Sequence, residues 1–401
     1  MNKRFIIFAG ILILRLPAFA QPCLPLGITF NTQNQIDSFQ INHPGCTEIQ
    51  GSLYITGTNI TNLNGLTSVT HVGADLYIRN TTALANLTGL DNLTSVGNEV
   101  SIGGNAMLNS LEGLGGLEST GYALELDLNP SLTTLSGLNS LAFIGGYLKI
   151  TDNVSLVSLS GLESLFEVSG AVNIGNNPLP GSLNGLNNLH VIGGGLIVSQ
   201  NSSLASLEGL NNLSMLTGGL SIGQNPAFIS FESLSSLTGI GGSLWIYDND
   251  ALHSLTGLDN ITAYSIMDLT LSENDSLSSC DVLSICNYLS NPNGNVVVQN
   301  NFAGCNDTSE IESACQAILI QEMELSTGFL TWPNPAGHIL SIPPDYAGKI
   351  MAVNFYHTNG FKQLNVKPIS GCLDVSRLPD GLYIVEFVFH GSVIRKKLVI
   401  Q

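Results

Sequence analysis

Trp245 and Tyr247, two positions apart in "SLWIYDND", are the side chains best suited to hold a ligand. Residues i and i+2 of an extended strand share a face. Both rings would therefore stand together and offer flat apolar surface to a sugar or a protein side chain. Tyr54 and Tyr77 make a second such pair at the other end of the same pattern. Arg79 and Lys149 are the two basic side chains between residues 21 and 327, against 26 acidic ones, so any cation that orients a ligand there is one of them. These six are the candidate ligand-binding residues.

Other chemistries find less support. The carboxylate pairs Asp248/Asp250 and Glu273/Asp275 have oxygen ligands for Ca²⁺ but read as solvated acidic corners, and no metal is assigned. Seven histidines are scattered, and no H-E-x-x-H, G-x-S-x-G or phosphate-loop pattern occurs. The expectation is a chain without catalysis and without a cofactor. Cys280, Cys286, Cys305 and Cys315 cluster late in the sequence without the paired C-x-x-C spacing of a zinc site, so they read as disulfides with three connectivities open. Cys23 is expected to pair with Cys46, leaving Cys372 alone.

The elements that must position the aromatic rings come from a repeat. The pattern L-x-I-x-x-N-x-x-L-x-x-L-x-x-L-x-x-L-x-x-I returns about every 24 residues, with strands starting at Leu53, Leu76, Val100, Leu124, Leu148, Val172, Leu196, Leu220, Leu244, Leu269 and Val296. A fixed period of this length marks a solenoid. The first and third strand residues point inward, and the leucines at three-residue spacing line the rest of each coil. An Asn follows five residues after most strand starts: Asn105, Asn129, Asn153, Asn177, Asn201, Asn225, Asn249, Asn274 and Asn301, with Thr58 and Thr81 in that place in the first two coils. Asn carries both a donor and an acceptor, so stacked copies can satisfy the buried backbone of each turn. They are expected to be a structural ladder. Gly145, Gly146, Gly193, Gly194 and Gly195 are expected to supply positive φ for tight turning.

The ends of a parallel sheet need covers. Residues 21–52 are expected to cap one end, 53–276 to form the solenoid, and 277–320 to cap the other end with partly helical structure. "SEIESACQAIL" places Ser309 and Glu312 at capping-box spacing. Residues 1–20, with Lys3 and Arg4 before an apolar run and Ala18-Phe19-Ala20 after it, read as a signal peptide. After a linker at 321–327, charge reverses sign: residues 328–401 hold seven basic and four acidic side chains. Alternation in "GLYIVEFVF" and "VIRKKLVI" argues for a small antiparallel β-sandwich. A body as acidic as residues 21–327 repels phosphate backbones and anionic membranes, which excludes nucleic acid as a partner.

The repeat resembles a leucine-rich repeat of the receptor L-domain kind. "IDSFQINHPGCTEIQGSLYITG" (36–57) is similar to that family's opening, and "SCDVLSICNYLSNPNG" to the end cap of bacterial secreted members. The tail resembles the type A C-terminal sorting domain of type IX secretion, through "WPNPAGHILSI" (332–342), "LDVSRLPDGLYIVEF" (373–387) and "VIRKKLVIQ" (393–401). The resemblance implies a mainly β protein, a parallel solenoid followed by a β-sandwich. It implies type IX secretion machinery as a partner, export across the outer membrane to the cell surface or extracellular space, and lipid-linked anchoring after tail removal. The functional expectation is a surface solenoid that binds a protein or neutral glycan through the outward face of its sheet. The alternative is a structural or adhesion spacer without a specific ligand.

Overall fold

The computed structural model describes residues 22–315, 339–342, 350–357, 362–366, 372–389 and 392–400. The chain divides into two compact units near residue 312. The first is a parallel β-solenoid with two sheets. Its long sheet has twelve strands, from Ile28–Phe30 through Leu53–Ile55, Leu76–Arg79 and so on to Val296–Gln299, each inner one hydrogen-bonded to the strands of the coils before and after it. The register is unbroken: Leu124, Leu148, Val172, Leu196, Leu220, Leu244 and Leu269 lie opposite one another in turn. Eleven spacings of about 4.8 Å make this sheet ~53 Å long.

The eleven strands expected from the repeat are therefore joined by a twelfth. Ile28–Phe30 lies inside the segment expected only to cap, and it pairs with Leu53–Ile55. Its "ITF" carries apolar residues two apart but no ladder Asn, so it escapes the repeat pattern while meeting the hydrogen-bonding need of the first coil. Two short helices, Gln33–Asp37 and Phe39–Asn42, complete this end, the first opened by a Thr32/Gln35 capping box.

The second sheet has ten two-residue strands, among them His71–Val72, Phe143–Ile144, Val191–Ile192 and Met215–Leu216, again all parallel. It forms at the last inward residue of each coil. Pairs of residues are too short to show period-two alternation, and the sequence pattern gave no sign of them. Between the sheets the leucines of each coil are fully buried, for example Leu132, Leu135, Leu138 and Leu141. This makes one continuous apolar core shared by neighbouring coils.

The asparagines run through this core as a hydrogen-bonded column. Each Oδ1 accepts the backbone N–H of the Asn one coil earlier: Asn105 to Asn129 at 3.2 Å, Asn129 to Asn153 and Asn153 to Asn177 at 3.1 Å, and so on to Asn274 with Asn301. Each Nδ2 donates to a strand carbonyl of the preceding coil, as Asn177 does to Ile150 at 2.8 Å. Thr81 starts the column by donating from its N–H and its hydroxyl to Asn105. Thr58 is exposed and accepts at its carbonyl from the Thr82 hydroxyl, so it stands outside the column.

The residue just before each column member is left-handed, with φ of 52–66° from Asn80 and Gly104 to Asn300. Only Gly104 is a glycine among them. Gly145, Gly146, Gly193, Gly194 and Gly195, expected at positive φ, do not adopt it. Their reason is close approach: a Cβ on Gly145 would meet the Gly121 carbonyl oxygen at 2.2 Å, and one on Gly193 the Ser169 oxygen at 2.1 Å. The backbones of successive coils touch there, leaving no room for a side chain.

Cys23 pairs with Cys46 and Cys280 with Cys305; Cys286 and Cys315 are disulfide-bonded too. At the C-terminal end Leu283–Ser290 is helical, and the buried Tyr288 donates its hydroxyl to the Met267 carbonyl. A further helix covers 308–315. Its capping box is not Ser309/Glu312, because Ser309 already lies within the first turn. Asp307 accepts from the Glu310 N–H at 3.0 Å, and Glu310 reaches back to the N–H groups of Gly304 and Asn306. An Asp in the cap position competes well with Ser, and two residues decide the register of the turn.

In the second unit a four-stranded antiparallel sheet runs in the order Lys362–Val366, Ile350–His357, Gly381–Phe389, Ser392–Ile400. A two-stranded sheet pairs Ile339–Ser341 with Cys372–Asp374. Leu340 and Leu373 from the small sheet share a core with Val353, Phe355, Val385, Phe387 and Leu398 from the large one, which makes a sandwich. Tyr383 donates its hydroxyl to the Pro379 carbonyl at 2.8 Å and pins the corner before its strand. The expected signal peptide (1–20) and linker (321–327) lie outside the described residues.

Candidate functional site

The outward face of the long sheet carries two rows of side chains, one from the second and one from the fourth residue of each strand. Alternation fixes this: Leu244 and Ile246 are buried while Trp245 and Tyr247 face out. Trp245 is 50% exposed. In register it stands between Ser221 and Thr270. Tyr247 lies lower. Its ring covers Gly223 of the preceding strand, where an added Cβ would meet the ring at 2.3 Å. A glycine in that row lets the tyrosine lie flat on the sheet.

At the other end Tyr54 and Tyr77 stack at 5.0 Å with ring planes 11° apart, and Tyr54 presents its outer face to solvent. Tyr77 donates to Glu99 at 3.4 Å. Burial, together with the charges of Glu99 and Asp75, pushes the Tyr77 hydroxyl up to about 12. Burial and the neighbouring Glu125 push Glu99 above the ordinary carboxylate range, against the hydrogen bond from Tyr77.

Arg79 and Lys149 do not project as free cations. They come from strands three apart in the sheet, and both reach the carboxylates of the strand Leu124–Asp127. Lys149 Nζ lies 2.6 Å from Glu125 Oε1, and Arg79 Nη2 lies 2.8 Å and 2.9 Å from the two Asp127 oxygens. Arg79 also donates to Ser101, which in turn donates to Glu125 at 3.3 Å. To reach Asp127, Arg79 must cross the strand Val100–Gly103. It does so over Gly103, where a Cβ would fall 2.1 Å from Asp127 and 2.6 Å from Arg79. Burial opposes charge on Glu125, but the hydrogen bond and charge of Lys149, with the charge of Arg79, outweigh it and hold Glu125 below the ordinary range. The hydrogen bond that Lys149 donates to Glu125 holds it above the ordinary lysine range against the cost of burial.

Glu125, Asp127, Ser101 and Glu99 are thus part of the site, and reading candidates one at a time missed them. The available signal was the row: Glu125 precedes Lys149 by one coil in the first row, and Asp127 follows Arg79 by two coils in the second. The face is therefore divided. Fixed donors and acceptors with paired charges adjoin the Tyr54/Tyr77 stack, Arg79 sharing its strand with Tyr77, and Trp245 and Tyr247 stand apart toward the other end. Flat apolar rings and fixed hydrogen-bonding groups are the chemistry this face presents to solvent.

The acidic corners fall elsewhere. Asp248 and Glu273 occupy the left-handed residue before Asn249 and Asn274. Among the described residues no three His, Cys, Asp or Glu side chains converge as metal ligands, and no helix is long and apolar enough to cross a membrane.

A search of curated proteins finds no match. The receptor L domain family matches residues 45–112, the first coils of a solenoid that continues in the same register to Gln299. The secretion system C-terminal sorting domain matches residues 330–401, which assigns the chain to the type IX machinery and to export across the outer membrane. The chain therefore joins a parallel solenoid, whose first coils match the receptor L domain, to a C-terminal secretion sorting domain.

Proposed function

We propose that the exported solenoid is a non-catalytic binding protein that holds a protein or neutral glycan ligand on the outward face of its long sheet. The observation that carries this reading is Trp245. Its neighbours in the same row are Ser221 and Thr270, so the fold does not need a large apolar ring there. A half-exposed Trp costs solubility unless it contacts something. Tyr247 beside it and the Tyr54/Tyr77 stack extend the same chemistry along the face. The acidic surroundings favour a neutral glycan or a basic protein over an acidic polymer.

The test is an array of glycans and surface proteins probed with the purified chain, followed by a Trp245→Ala/Tyr247→Ala double variant. The variant is expected to lose at least tenfold in affinity, or ~1.4 kcal/mol, with an unchanged melting temperature. Binding within twofold of wild type would move the site off these rings, and an array without binders would favour the spacer reading.

The route to the surface completes the proposal. Residues 1–20 direct export and are removed, and the tail is cleaved before lipid-linked anchoring. Mass spectrometry of protein extracted from the cell surface is expected to find neither end. Recovery of peptides through Gln401 in most molecules would overturn the cleavage.

A further inference from the structure

The short sheet has an outward face of its own, and the repeat changes character there. The residue before each short strand is a threonine near both ends of the solenoid. Thr94 donates its hydroxyl to the Thr70 carbonyl at 3.1 Å, and Thr262 donates to Thr238 at 2.9 Å. These hydroxyls tie adjacent coils together. In the middle coils the same row holds Phe166 and His190, which stack at 4.7 Å. The next row, the outward residue of each short strand, runs Phe143, Glu167, Val191, Met215 in register. At the ends of the solenoid that row is His71, Ser95 and Ser119 on one side and Gly239 on the other.

Phe143, Phe166, Val191 and Met215 are between 38% and 57% exposed, while the inward residues beside them, Ile144, Val168, Ile192 and Leu216, are buried. The core of these four coils is thus complete without the apolar residues on their outside. Contiguous exposed apolar surface on an otherwise polar protein marks a contact site.

We propose that this patch docks a basic, amphipathic segment of a partner protein. The occupant follows from charge. Glu167 sits within the row, between Phe143 and Val191, and Glu118 lies in the row of Phe166 two coils earlier. The two basic side chains of residues 21–327 are held on the long sheet by Glu125 and Asp127. Every full charge that the solenoid itself places beside the patch is therefore negative. The same face of a second solenoid would set like charges against each other, and an anionic membrane would do the same. A partner with lysines or arginines flanking an apolar stripe satisfies both features. The patch is independent of any ligand on the long sheet.

The test uses the full chain with ¹³C-labelled methionine methyl groups and three synthetic 18-residue peptides. One has leucine and lysine in amphipathic order, one has serine in place of leucine, and one has glutamate in place of lysine. The leucine/lysine peptide is expected to shift the Met215 methyl resonance saturably, and the other two are not. Phe166→Ser/Val191→Ser is expected to weaken that binding at least tenfold, while Trp245→Ala leaves it within twofold. An unmoved Met215 resonance, or an equal response to the serine/lysine peptide, would overturn the proposal. So would self-association of the free chain in sedimentation that the double variant abolishes, which would give the patch to a second copy.

Discussion

Replacing Asn177 with Leu is expected to destabilise the solenoid by ~3–5 kcal/mol, although the two side chains are close in size. Asn177 is buried, and its Oδ1 accepts the Asn153 N–H at 3.1 Å. Its Nδ2 donates to the carbonyls of Ile150 at 2.8 Å and Gly175 at 2.9 Å. Leucine fills the space but strands a backbone donor and at least one carbonyl in an apolar core, at ~1–3 kcal/mol each. Thr81→Val gives the comparison. Thr81 stands at the end of the column, where its hydroxyl makes one bond, to Asn105. Its loss is expected to cost ~1 kcal/mol. Urea unfolding measures both, and hydrogen exchange at the Asn153 amide should accelerate sharply in Asn177→Leu alone. A loss under ~1 kcal/mol in that variant would mean that water or a shifted backbone replaces the column.

Gly113→Ala is expected to cost ~3–5 kcal/mol, while Gly115→Ala, two residues away, should be nearly silent. Gly113 has φ of +110°, and a Cβ there would stand 1.9 Å from the Leu87 carbonyl oxygen and 2.1 Å from its carbon. Both atoms are backbone of the preceding coil, so relief requires the coils to separate. Strain at a glycine-only φ costs ~1–3 kcal/mol, and forced overpacking adds a similar amount. At Gly115 a Cβ meets nothing within 4 Å and φ is not left-handed, so the effect should stay within ~0.5 kcal/mol. The ratio of the two losses in one denaturation series is the readout. Equal effects would show that the coil spacing yields more easily than the close contact implies. The same geometry recurs at Gly89, Gly137, Gly161, Gly185, Gly209 and Gly257.

The sequence by itself determined the part of the repeat that side-chain alternation and backbone pairing dictate. The 24-residue period, the inward Leu and Ile, the buried Asn column and the outward rows of the long sheet all follow from side-chain alternation and from the need to pair buried backbone groups. These depend on local order, and each coil restates them. Tertiary structure decided whatever links one coil to another through non-repeating side chains. Arg79 meets Asp127 only because Gly103 on the intervening strand has no Cβ, and Lys149 meets Glu125 on the strand beside it, so both candidate cations hold carboxylates. The Phe143, Phe166, Val191 and Met215 patch exists because two-residue strands, invisible to periodicity, set four coils in register. Ile28–Phe30 joins the sheet because the first coil must hydrogen-bond to something, whether or not the segment carries the repeat. A single period fixes where each side chain sits around its coil, and only stacking the coils fixes which side chains meet.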